Sequence, residues 1–103
     1  MSNLEKLQEW FLSQCDDEWE HTSRVRVETL DNPGWRLVID LSDTALSEKP
    51  FTEQSLGMDN QAMTSGNEWF HCVVEDTKFV GAGGPRKLEE MIGIFLAWVG
   101  VPT

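Results

Sequence analysis

The chain has 103 residues and a formal charge of −10, because 18 acidic side chains outnumber eight basic ones. That length predicts one domain spanning residues 1–103. Nucleic-acid backbones and anionic membrane surfaces would repel so acidic a protein, so we expect neither as a partner, and a basic protein is its electrostatic complement.

The apolar segments and the cysteines of the sequence indicate the cellular compartment of the protein. No apolar run approaches the ~20 residues of a membrane span, and the first residues, Met1 to Lys6, do not resemble a signal peptide. We therefore expect a cytoplasmic protein. Cys15 and Cys72 are then expected to remain reduced thiols rather than to form a disulfide.

The N-terminal segment has the pattern of an amphipathic helix. Ser2 and Glu5 have the spacing of a capping box, in which each side chain accepts a hydrogen bond from the backbone amide of the other residue. Leu4, Leu7 and Phe11 then recur at helical spacing. The sequence predicts a helix over residues 3–15.

An acidic segment follows this helix. Between Asp16 and His21, four carboxylates surround one indole, Trp19, and no helical or strand period continues. The composition predicts an acidic loop. Two interpretations stay open: a solvated exit from the helix, or a contact patch in which Trp19 anchors a partner.

Residues Val25 to Leu41 predict a β-hairpin, since two alternating runs flank a turn. The turn, Asn32-Pro33-Gly34-Trp35, suits type II geometry with Gly34 at the position that needs a positive φ. On the second strand, one face should meet the core; it carries Trp35, Leu37, Ile39 and Leu41.

The middle of the chain has weaker patterns. Residues 42–49 are polar and include Asp43 and Glu48, and a short strand is predicted within residues 50–56. Gly57 to Asn67 has no period and predicts a mobile loop.

A second hairpin and a last helix complete the prediction. Residues 68–75 alternate as a central strand, Asp76 and Thr77 form a turn, and residues 78–82 pair back. After a break at Gly83-Gly84-Pro85, a helix is predicted to start at Pro85. The fold class is α+β, an antiparallel sheet of four to five strands built from two hairpins, with an N-terminal and a C-terminal helix packed on it.

Candidate chemical sites are few. The glycines from Gly81 to Gly84 could cradle an anion at a helix N-terminus, but a tight reversal needs them equally. Cys15, His21, His71 and Cys72 lack the spacing of a metal site, so no metal or cofactor is expected. Trp35 and Trp69 are more typical of a core than of a ligand pocket. No group of residues requires catalysis, and we predict that the chain is not an enzyme.

Several segments carry a resemblance to a known family. They are Leu4 to Phe11, Gln14 to His21, Glu28 to Trp35, Gly81 to Pro85, and Leu88 to Glu90. Together they resemble the immunity protein 53 family of bacterial polymorphic toxin systems, from Leu4 to Trp98 apart from residues 57–66. The resemblance implies a small cytoplasmic protein that binds and silences a cognate toxin.

This resemblance and the charge together predict a site. Toxins that attack nucleic acids have basic clefts, which carboxylates could occupy in place of phosphates. The predicted partner-binding residues are Asp16, Asp17, Glu18, Trp19, Glu20, Asp43 and Glu48. The partner would be a toxin, basic and nuclease-like, bound by a monomer or a weak homodimer.

The sequence also leaves open a second hypothesis about the function of the chain. The chain could be a small enzyme or ligand-binding protein whose pocket gathers Cys15, Asp16, Trp19 and His21. A pocket would place these four side chains together in a concavity, whereas an inhibitor surface would not need one.

Overall fold

The protein is built on one antiparallel sheet. The computed structural model describes residues 2–31, 33–57 and 68–100. Its strands are β1 Val25–Leu30, β2 Gly34–Asp40, β3 Gln54–Leu56, β4 Phe70–Glu75 and β5 Lys78–Gly83, and its helices are α1 Asn3–Gln14, α2 Trp19–Thr22 and α3 Leu88–Val99. The strand order is β1-β2-β5-β4-β3. The α+β prediction is confirmed, with two hairpins supplying four strands and β3 adding the fifth.

The core lies between one face of the sheet and the helices α1 and α3. Leu37 and Ile39 of β2 are fully buried, as are Met91 and Phe95 of α3. Burial of such side chains is the main favourable term in folding. Thr22, the last residue of the short helix α2, borders the opposite face of the sheet.

Helix α1 confirms the predicted N-terminal helix to within one residue. The Glu5 amide donates to Ser2 Oγ and the Ser2 amide donates to Glu5 Oε1, each over 3.1 Å, which completes the capping box. Trp10 packs edge-on against Phe95, with ring centroids 4.9 Å apart. This contact ties α1 to α3.

The first hairpin is confirmed, but the predicted type II turn is wrong. Gly34 pairs with Leu30 as the first residue of β2, and its φ is not positive. A Cβ at Gly34 would lie 2.4 Å from the carbonyl oxygen of Gly83 on β5. Glycine is therefore needed for close approach of two strands and not for turn geometry; Asn32 lies outside the described residues.

The segment between the hairpins differs from its prediction. The strand predicted within residues 50–56 is shorter, and β3 covers only Gln54–Leu56. Phe51 lies before it and packs edge-on against Phe79 and Trp98, which places a core contact where the sequence predicted a strand start. The mobile loop predicted from Gly57 to Asn67 lies outside the described residues, apart from Gly57.

The second hairpin is confirmed, but its last strand is longer than predicted and the helix that follows begins later. Asp76 and Thr77 both have positive φ, of 50° and 59°, as a two-residue type I′ turn requires. Strand β5 continues through Gly83, and α3 begins at Leu88 rather than at Pro85. The carbonyl of Pro85 instead accepts a hydrogen bond from the Trp35 indole at 3.0 Å, which holds Pro85 in the connection before the helix.

Three of the five tryptophans hold connections against the core. The Trp19 indole N–H donates to the carbonyl of Ser42, that of Trp35 to Pro85, and that of Trp98 to Pro50, over distances of 2.8, 3.0 and 2.9 Å. Trp35 also packs against the core, as predicted. The same prediction is wrong for Trp69, which is half-buried and lies outside the core cluster.

Candidate functional site

The acidic loop, residues Asp16 to Glu20, is held by its own carboxylates. Asp16 Oδ1 accepts hydrogen bonds from the amides of Glu18 and Trp19 at 3.0 and 2.9 Å. The two carboxylate oxygens of Glu20 accept from the amides of Asp16 and Asp17, each at 2.9 Å. Asp16 thereby satisfies amides that the start of a helix leaves free, which stabilises the first turn of the short helix α2. The sequence did not predict this helix.

The hydrogen bonds keep the loop anionic. The Trp19 amide, followed by the Glu18 amide, lowers the pKa of Asp16. The pKa of Glu20 is also lowered, first by its own amide and further by those of Asp16 and Asp17. Donors that bind the charged form of a carboxylate favour ionisation. Asp16 and Glu20 are therefore structural carboxylates that remain charged at neutral pH.

Trp19, the predicted anchor, lies in the core. Its side chain is 4% exposed and packs edge-on against Trp10 and Phe11, with centroid distances of 6.0 and 5.8 Å. Its indole N–H is bound by the Ser42 carbonyl. Trp19 thus positions the loop, and in this structure it offers no exposed ring to a partner.

The bond from Trp19 to Ser42 joins two of the predicted acidic segments. Asp43 follows Ser42 and is exposed, with a φ of 60° that turns the chain sharply. Asp17, with a φ of 73°, and Glu18 are exposed on the acidic loop. We call these three residues, Asp17, Glu18 and Asp43, the acidic surface.

Glu48, the last of the predicted partner-binding residues, lies farther along the same segment. It is exposed and adjoins Lys49, whose Nζ donates to the carbonyl oxygen of Trp98 at 2.6 Å. That contact brings Glu48 to the C-terminal end of α3. Glu48 is not part of the contact between Trp19 and Ser42.

Three of the four residues of the alternative pocket make structural contacts. The Cys15 thiol donates to the Phe11 carbonyl at 3.3 Å, and its pKa is raised by desolvation and then by the charges of Glu20 and Asp16. A nucleophilic cysteine needs a lowered pKa. The Asp16 carboxylate accepts a hydrogen bond from the amide of Trp19, the first residue of α2, and Trp19 is buried, while His21 is exposed. Three concavities among the described residues have other linings.

The remaining thiol and imidazole have structural surroundings. Both cysteines are free, and Cys72 is fully buried, which raises the pKa of its thiol to about 12. His71 Nε2 lies 2.5 Å from Glu53 Oε1. Within residues 2–31, 33–57 and 68–100, no three His, Cys, Asp or Glu side chains form a group suited to a metal.

The glycine segment predicted as a turn or an anion cradle is largely strand. A Cβ at Gly81 would lie 3.1 Å from Met91 Sδ, and one at Gly83 would lie 3.0 Å from Lys87 Cβ. The amide of Gly84 donates to the Trp69 carbonyl at 2.9 Å. Gly81 therefore lets α3 lie close against β5, and Gly83 leaves room for Lys87 just before α3.

A surface that the sequence analysis did not single out lies on the face of the sheet opposite the helices. We call it the basic concavity; it measures about 350 Å³ and is lined by Thr22, Arg24, Arg26, Arg36, Val38, Asp40 and Lys78. Its residues come from α2, three strands and the link before β1. The alternation of Arg24 with Arg26 was the one local signal, since residues two apart share a face.

Comparisons with known proteins identify the family. No curated protein and no solved structure is similar enough to the chain to count as a match. None of the helices in the described residues is long and apolar enough to cross a membrane. The family model described as immunity protein 53 matches residues 4–100, nearly the whole chain, which confirms the resemblance noted in the sequence. The chain therefore belongs to the immunity protein 53 family.

Proposed function

We propose that this chain binds a cognate bacterial toxin directly and neutralises it in the cytoplasm of the cell that produces both. Membership of an immunity protein family supports the immunity role. The protein would act by occupying the toxin, without catalysis of its own. It would do so as a monomer or a weak homodimer.

The acidic surface is the contact that we propose for the toxin. The hydrogen bond from Trp19 to Ser42 supports this proposal, because it ties the segment that carries Asp43 to the loop that bears Asp17 and Glu18. Asp16 and Glu20 hold the loop from within. A pre-ordered surface loses less conformational entropy on binding than a flexible one.

The charge of the chain favours a toxin with a basic, nuclease-like cleft. Carboxylates entering such a cleft would replace the phosphates of its substrate, and a net charge of −10 would steer the two proteins together. Association should therefore slow as salt is added, since ions screen charges over roughly 8 Å at physiological strength.

The test neutralises the acidic surface without disturbing its backbone. Asn replaces Asp17 and Asp43, because Asn also tolerates the positive φ at both positions, and Gln replaces Glu18. The binding partner is the toxin encoded beside this chain's gene. We expect association to slow roughly tenfold or more at low salt and to lose much of its salt dependence, as for charges that steer encounter.

A matched variant controls for net charge. Glu9→Gln/Asp31→Asn/Glu89→Gln makes the same change in charge at exposed sites outside the acidic surface. If both triple variants slow association equally, or neither does, the contact lies elsewhere. If the unaltered chain neither binds the toxin nor protects cells that produce it, the proposed function itself is wrong.

A further inference from the structure

The basic concavity is positively charged, whereas the protein as a whole is negatively charged. Four cationic side chains and one carboxylate line it, giving a local charge of +3 in a chain of −10. Those four are half of the eight lysines and arginines in the sequence. Such a concentration on one face creates a local positive field that the net charge conceals.

Strand register builds this concavity. Arg26 lies opposite Val38, which lies opposite Val80 on β5, and Lys78 lies opposite Asp40. Val38 is only 9% exposed and forms an apolar floor beneath the longer side chains. The four cationic residues are themselves exposed and surround Val38 at the surface of the sheet.

The four cations have no ion-pair partner among the residues that the structure describes. The ion pairs found there join His71 to Glu53, and Lys87 to Glu68 and Glu90. The carboxylate within the concavity, Asp40, accepts a hydrogen bond from Ser42 Oγ at 3.1 Å. Because Arg24, Arg26 and Arg36 form no ion pair with a described residue, their guanidinium groups can bind a ligand. Each can bind a carboxylate through two parallel hydrogen bonds.

We propose that the basic concavity binds an acidic segment of the toxin, through aspartate or glutamate carboxylates seated on Arg24, Arg26 and Arg36. The partner's identity rests on the proposed function, whereas the carboxylate chemistry rests on the concavity. The apolar floor suits the methylene groups that carry a side-chain carboxylate.

A longer polyanion fits this face less well than a short acidic segment. Glu28 lies opposite Arg36, and Glu75 lies opposite Lys78, so carboxylates border the cations along the strands. A nucleic-acid backbone crossing the sheet would meet them, and the chain's net charge would also oppose it. The toxin would then meet two surfaces of opposite sign, and such complementarity sets the orientation of a complex.

The first experiment compares Arg26→Gln/Arg36→Gln with Lys6→Gln/Arg86→Gln for binding to the toxin encoded beside this chain's gene. Both variants lose two positive charges, and neither Lys6 nor Arg86 lines the concavity. We expect the first variant to dissociate roughly tenfold faster and the control to match the unaltered chain within about twofold, since close charge pairs act mainly on dissociation. Equal behaviour of the two variants would overturn the inference.

A second measurement needs no toxin. Nuclear magnetic resonance titration at low salt with hexaglutamate should shift the amide signals of Arg26, Arg36, Val38 and Lys78, and Arg26→Gln/Arg36→Gln should remove most of that shift. An absence of binding, or tighter binding of hexauridylate than of hexaglutamate, would refute the carboxylate proposal. Arg24→Gln, before β1, provides a milder variant should the double variant fail to fold.

The two proposals fail in distinguishable ways. If the unaltered chain does not bind the toxin, the proposed function is wrong. The hexaglutamate titration would still report on the concavity. Toxin binding that depends on Asp17, Glu18 and Asp43 but is indifferent to Arg26 and Arg36 would leave the acidic surface in place and overturn the role of the concavity.

Discussion

The indole N–H of Trp19 lies 2.8 Å from the carbonyl oxygen of Ser42, and this bond spans 23 residues of sequence. We expect Trp19→Phe to keep most of the aromatic packing but to lose the donor, leaving a partly buried carbonyl without its partner. The free energy of unfolding should fall by about 1–3 kcal/mol. Urea denaturation followed by circular dichroism measures this loss.

Trp35→Phe is the matched comparison, because it removes the equivalent bond to the Pro85 carbonyl, made over 3.0 Å. Both variants should lose stability by similar amounts. On the proposed function, only Trp19→Phe should slow toxin association, because only that bond supports the acidic surface. Slower association in both variants would mean that general stability, rather than the position of Asp43, controls binding.

Acid should weaken the fold through Asp16 and Glu20. Hydrogen bonds lower the pKa of each carboxylate from its ordinary value, 3.8 for Asp16 and 4.5 for Glu20. Their stabilising contribution is therefore complete above those values and is lost as the pH falls through the lowered pKa values. The melting temperature should decline below about pH 4.5, as linkage requires.

The double variant Asp16→Asn/Glu20→Gln should melt lower at neutral pH and show a flatter acid profile. Asp17→Asn/Glu18→Gln is its control, since those two carboxylates accept no hydrogen bond from any described residue. The control should retain the acid dependence of the unaltered chain. A control profile as flat as that of the double variant would assign the acid dependence to repulsion among charges instead.

Gly34 should tolerate no side chain. Because an added Cβ would lie 2.4 Å from the Gly83 carbonyl oxygen, Gly34→Ala must push β2 away from β5. We expect a loss of about 1–3 kcal/mol in the free energy of unfolding, the usual cost of overpacking. Chemical denaturation checks this value, and an unchanged midpoint would refute the close approach.

Gly93→Ala offers a contrast within the same chain. There the new methyl would meet Asn3 Nδ2 at 3.0 Å, the far end of a side chain whose 3.3 Å hydrogen bond to the Glu89 carbonyl would have to shift by a few tenths of an ångström. Alanine gains roughly 0.5–1 kcal/mol over glycine inside a helix. This variant should therefore be neutral or slightly stabilised in the same denaturation measurement.

Cys15→Ala tests the pocket hypothesis. Because the pKa of Cys15 is raised, its thiol should react slowly with a disulfide reagent at pH 8, and buried Cys72 should react only after unfolding. On the proposed function, Cys15→Ala protects cells from the toxin as well as the unaltered chain does. Loss of protection with normal stability and toxin binding would favour an enzyme.

Local patterns predicted the elements well, because each pattern needs only neighbouring residues. Ser2 and Glu5 specify the start of α1, and Asp76-Thr77 specifies the second turn. The role of Gly34 could not be found in this way, since it depends on β5 lying beside β2. No local signal states that strand order.

The candidate site was harder to predict for the same reason. Trp19 stands among four carboxylates in sequence, which suggested exposure, yet Trp10 and Phe11 cover it from the preceding helix. The basic concavity gathers cations from positions as far apart as Arg24 and Lys78. Net charge averages over such arrangements, so it gave no indication of a local cluster of positive charge.

The indole bonds of Trp19, Trp35 and Trp98 have a practical consequence. Trp19 and Trp98 hold the connection between β2 and β3 at Ser42 and at Pro50, and Trp35 holds the connection between β5 and α3 at Pro85, over distances of 2.8 to 3.0 Å. Deuterium uptake at each indole nitrogen would report the opening at one of these three points. The chain thus carries three native probes, one of which, Trp19, would register events at the acidic surface without any added label.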